Sequence, residues 1–134
     1  MVSSDIRAVI DTNAIFMSLY NEKGKAGRII EFANQNKIKL FSPERVKEEL
    51  IIVLKKEMYL SEDKISFIIN RLPIIWVKKE VYEEKIKDVK VKHKPDKPVE
   101  ALSIVLGCGI LSADRDFEET ISIDELIKEL EALE

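Results

Sequence analysis

Residues 7–13 read Arg7-Ala8-Val9-Ile10-Asp11-Thr12-Asn13. A short apolar run that stops abruptly at an acid is the mark of a buried strand whose end opens onto solvent. Thr12 to Tyr20 follows as a loop or short helix. Gly24 to Asn34 carries Ile29, Ile30 and Ala33 at helical spacing, and Ile38 to Phe41 reads as a second strand. Ser42-Pro43-Glu44 is a helix start: serine caps, proline suits the first turn and glutamate favours the positive end of the dipole. This helix is expected to run to about Met58, with Val46, Leu50, Val53 and Leu54 on one face.

Beyond it, Ser61 opens a helix that ends near Pro73, and Ile74 to Val77 is a strand. Glu80 to Val89 reads as helix, followed by a polar loop to Pro95. A helix from about Asp96 to Leu106 ends at Gly107. Gly109 to Ser112 is a strand that stops before Asp114, and Asp124 to Leu133 is a final amphipathic helix. Short apolar strands alternating with helices predict an α/β fold with a parallel sheet. No repeat, linker or low-complexity tract interrupts the 134 residues, so a single domain, 1–134, is expected.

Composition narrows the chemistry. One cysteine, Cys108, excludes an internal disulfide and a cysteine-rich zinc site, and one histidine, His93, excludes a histidine cage. Any metal must be held mostly by oxygen. No apolar run approaches the roughly 18 residues of a membrane span. Nor does the N-terminus show a basic segment followed by an apolar stretch, so a cytoplasmic location is expected. The net charge of −3 hides an asymmetry: residues 113–134 hold 9 acidic and 2 basic side chains, whereas 78–97 hold eight lysines against five acids. A lysine-rich segment can contact phosphate or simply form a solvated face.

Ligands of a parallel α/β sheet bind beyond the carboxyl ends of its strands. Asp11 follows the first strand, Asp114 a later one, and Asp116 stands two residues on. Asp96 begins a helix with Glu100 one turn later, and Glu49, next to Glu48, borders the apolar stripe of its helix. Each acid has a plain structural use as a cap, turn or surface residue. As a set they would repel one another without a cation, and clustered carboxylates suit hard ions such as Mg2+ or Mn2+. Cys108, Trp76 and the phenylalanines read as core, as do Phe16 and Tyr20, although that last pair could also stack on a base.

These residues resemble the PIN domain family over nearly the whole chain. Arg7 to Asn13 is similar to the family's first strand, and Ser42 to Leu50 to the helix with its second acid. The segment Asp96-Lys-Pro-Val-Glu-Ala-Leu-Ser-Ile-Val-Leu-Gly107 resembles the third acid and its helix, and Ile110 to Phe117 the strand followed by Asp-x-Asp-Phe. The resemblance implies a three-layer α/β domain with a central parallel sheet, acting as a metal-dependent endoribonuclease. It implies a site of Asp11, Glu49, Asp96 and Asp114, with Asp116 as an auxiliary metal ligand and Mg2+ or Mn2+ as cofactor. Asn13 and Ser112 match positions of polar residues that orient the site, and a final short strand matches Thr120 to Ile123. RNA is the implied substrate, with a homodimer as the expected assembly and, in VapC-type toxins of this family, a small antitoxin as partner. The alternative is a non-catalytic PIN-like domain that binds RNA or protein. A haloacid-dehalogenase-like phosphatase needs an acid where Asn13 stands. A dinucleotide-binding domain needs a Gly-x-Gly-x-x-Gly run that is missing, and a receiver domain needs an acid pair that is missing too.

Overall fold

A computed structural model describes residues 6–89, 97–112 and 121–133. Strand β1 (Arg7–Ile10) leads into α1 (Thr12–Tyr20) and α2 (Lys25–Asn34). Then come β2 (Lys39–Pro43), α3 (Glu44–Met58), α4 (Glu62–Arg71) and β3 (Ile74–Val77). A short α5 (Lys79–Tyr82) runs on as a 3-10 helix over Glu83–Asp88. The described chain resumes with α6 (Lys97–Leu106), β4 (Gly109–Leu111) and α7 (Ile123–Glu131).

All strand pairs are parallel, in the order β3-β2-β1-β4. Val9 lies opposite Phe41 on one side and Ile110 on the other. Parallel neighbours need long crossovers, which the helices supply. The chain moves one way along the sheet from β1 to β2 to β3, then returns past β1 to β4. With right-handed crossovers, this reversal puts α1–α4 on one face and α5–α6 on the other. The packing agrees: α1 meets α2 and α3, and α3 meets α4, whereas α6 meets α5 and the 3-10 segment. Covering on both faces is why Ala8, Val9 and Ile10 of the central strand are all buried instead of alternating. Ile15, Leu50 and Leu54 and, from α6, Ala101 and Leu102 complete the core.

Several expectations shift. Ser42 does not cap α3: β2 extends through Ser42 and Pro43, which pair with Trp76 and Val77, and Pro43 stands at the N-cap without a side-chain bond. Ser42 is fully buried, so its hydroxyl takes the nearest buried acceptor, the Ile10 carbonyl, at 2.7 Å. Of the strand expected at Thr120 to Ile123, the described residues 121 and 122 are not in a strand, and the Ile121 N–H bonds the Ile110 carbonyl at 2.8 Å. Ser122 then caps α7, and Ile123 is already helical; Thr120 lies outside the described residues. Tyr20 and Phe67 are not core. Tyr20 is exposed and stacks on half-buried Phe16 with ring centroids 6.0 Å apart, and exposed Phe67 lies under the Arg71 guanidinium. The helix expected over Glu80–Val89 starts at Lys79 and tightens to 3-10 geometry after Tyr82.

Candidate metal centre

The reversal of chain direction falls between β1 and β4. In a sheet of this kind the adjacent connections leave in opposite directions there and open a crevice at the carboxyl edge. Asp11 and Ser112 stand at that edge, one after each strand. The Asp11 N–H bonds the Leu111 carbonyl at 3.2 Å, which ties the two strand ends together.

Asp11 has two roles at once. Its Oδ1 accepts the Ala14 N–H at 2.8 Å and so caps α1, satisfying a donor that a helix start leaves open. Its Oδ2 accepts the Ser112 hydroxyl, which reaches it from 101 residues away in sequence. The side chain is buried, and these bonds hold its carboxylate in one orientation.

Glu49 arrives from α3. Its Oε2 accepts the Thr12 hydroxyl at 2.9 Å, and its Oε1 lies 3.8 Å from Arg45 Nε, one helical turn earlier. Thr12 follows Asp11 directly, so one hydroxyl links the second acid to the first. Its neighbour Glu48 is exposed and lines a cleft together with Arg45. Asn13 is exposed, and among the described residues its side chain makes no hydrogen bond; the polar contact comes from Thr12 instead. Glu100 is nearly fully buried in α6. Asp96, Asp114 and Asp116 lie outside the described residues, as do Lys92, His93 and Lys94.

Among the described residues alone, no group of three or more ligating side chains forms a metal site. The donor set at the crevice is nonetheless all oxygen: two carboxylates held by hydroxyls. That chemistry fits a hard divalent ion and suits neither zinc nor copper well. Thr12 and Arg45 escaped the reading of the sequence. Arg45 carries a local signal, the i,i+4 spacing to Glu49. Thr12 carries none, because its partner is 37 residues away.

No helix among the described residues is long and apolar enough to cross a membrane. No curated protein matches the chain. The PIN domain family model matches it over residues 9–131, nearly its full length. With a parallel sheet in the order 3-2-1-4 and an acid at its switch point, the chain belongs to the PIN domain family, whose members are mostly metal-dependent nucleases.

Proposed function

We propose that this protein is a Mg2+- or Mn2+-dependent endoribonuclease that hydrolyses RNA phosphodiester bonds. The observation that carries the reading is a pair of anchored carboxylates, Asp11 at the sheet's switch point held by Ser112 and Glu49 on α3 held by Thr12. Asp11 and Glu49 would hold the ion together with Asp96 and Asp114, and Asp116 would assist. When bound, the ion lowers the pKa of water and offsets charge on the phosphoryl oxygens.

The chain's own contribution is orientation. Ser112 and the start of α1 fix the Asp11 carboxylate, so it pays little reorganisation cost when it ligates. Thr12 does the same for Glu49. RNA as the substrate class, a homodimer, and an antitoxin partner of the kind found with VapC-type members belong to the same proposal, supported by family membership.

Calorimetric titration with Mn2+ tests it without knowledge of the substrate. The parent should bind, and Asp96→Asn and Asp11→Asn should each lose more than the about 10–100-fold that loss of an outer hydrogen-bond partner costs. Asparagine caps a helix as well as aspartate does, so Asp11→Asn should keep its fold by circular dichroism. A folded parent that binds no Mn2+, and binds RNA equally with and without metal, would replace this reading with the non-catalytic one.

A further inference from the structure

The carboxyl edge of the sheet carries a second feature beside the acids. Along the order β4-β1-β2-β3, Ser112 and Asp11 mark the first two strands. Glu44 and Arg45 follow β2, and Lys79 follows β3. Adjacent strands are about 5 Å apart, so these residues begin about 5 and 10 Å along the edge from Asp11. Here α3, α5 and α6 enclose a cleft of about 490 Å³, a size typical of small-molecule sites. Its apolar lining is Tyr82, Ile86 and Pro98. Three cations from three elements meet in it: Arg45, Lys79 and Lys97.

These cations are lightly engaged. Arg45 touches half-buried Glu49 only at 3.8 Å, beyond hydrogen-bond distance, and Lys79 touches Glu83 at 3.9 Å between exposed side chains, where such a pair contributes little. Among the described residues Lys97 makes no ion pair. Glu44 and Glu48 share the cleft. A bare phosphate would gain nothing from those two acids, whereas a ribonucleotide would: phosphate oxygens accept from cations, and the ribose 2′-hydroxyl can donate to a carboxylate. That hydroxyl is also what distinguishes RNA from DNA.

We infer that this cleft is a ribonucleotide subsite for the strand flanking the scissile bond, with Arg45, Lys79 and Lys97 on the backbone phosphate and Glu44 or Glu48 on the 2′-hydroxyl. It rests on the nuclease reading and adds to it where the neighbouring nucleotide sits and how RNA is preferred. Arg45 joins the two sites, since it touches Glu49 and lines the cleft.

The test uses the whole chain and a fluorescein-labelled oligouridylate about ten nucleotides long. It is 2′-hydroxylated or fully deoxy, and binding is followed by anisotropy across a salt series in Ca2+. Lys79→Ala with Lys97→Ala should reduce the slope of log affinity against log salt by up to about 0.7, the value of one phosphate contact on a single strand. Lys47→Ala with Lys55→Ala removes the same charge from a different groove, between α3 and α4, and should leave the slope unchanged. Glu44→Ala with Glu48→Ala should cut the RNA-over-DNA preference about tenfold, the loss of one hydrogen bond to a charged group. Equal slope losses in both lysine pairs, an unchanged RNA-over-DNA ratio, or a parent that binds neither strand overturns the subsite. Mn2+ calorimetry on the same proteins separates the two ideas. Normal Mn2+ binding with no slope change fails the subsite alone. A parent without Mn2+ binding, but with the expected slope and ratio changes, fails the nuclease reading and leaves the subsite standing.

Discussion

At the residue scale, the candidate centre depends on hydroxyls as much as on acids. Thr12 is the clearest case, because its hydroxyl donates to the Glu49 carboxylate from the position directly after Asp11. Thr12→Val keeps the shape and the β-branch but removes the donor. Loss of the hydrogen-bond partner that orients a metal ligand costs about 10–100-fold in metal affinity. Mn2+ affinity and RNA cleavage should therefore fall about tenfold or more, with thermal stability little changed and Thr12→Ser restoring both. An unaltered Mn2+ isotherm in the valine variant would show that Glu49 needs no such anchor. Ser112 and Ser42 work in the same manner on different targets, one holding a site carboxylate and the other tying β2 to β1 through the Ile10 carbonyl.

At the scale of elements, close packing can reverse an ordinary propensity. Glycine inside a helix normally costs up to about 1 kcal/mol relative to alanine. Gly27 lies in α2, yet a Cβ there would come within 2.2 Å of the Glu22 carbonyl oxygen, and that oxygen belongs to backbone that cannot swing aside. Gly27→Ala should therefore destabilise the protein, by about 1–3 kcal/mol in urea unfolding, instead of stabilising it. A higher midpoint would mean that the turn before α2 yields. The same helix is tied to α7 by Lys25–Asp124 at 2.7 Å and Arg28–Glu131 at 3.0 Å. Both pairs are largely exposed and contribute little; buried Leu126 and Leu130 hold α7 in place.

At the scale of the whole molecule, alkaline pH should lower stability in part through Tyr82. Burial, chiefly, and then the nearby Glu44 carboxylate push its phenol above the usual value of 10.0. The folded state therefore holds the proton more tightly than the unfolded chain. Below pH 10 both states are protonated and this contribution is intact; as pH rises beyond 10 the unfolded chain ionises first and stability falls. Thermal midpoints measured across that range should drop, and less steeply in Tyr82→Phe. Parallel slopes in the two proteins would assign the alkaline loss to other groups. The residue also matters to placement, since it lines the cleft that neighbours the acid site.

The sequence by itself determined the kind and order of most elements and some of their ends. Apolar runs and helical spacing act over a few residues, so β1, β3 and the helices from Ser61 and Lys97 were legible, as was Asp11 at a strand end. The tertiary structure alone decided who meets whom. Strand order sets the switch point between β1 and β4, and through it the bond from Ser112 to Asp11 and that from Thr12 to Glu49. It also turned Ser42 from a cap into a strand residue, because burial between β1 and β3 left its hydroxyl one acceptor, the Ile10 carbonyl. The physical reason is range: periodicity records which side of an element is buried, whereas partners across the sheet are chosen by how the crossovers pack.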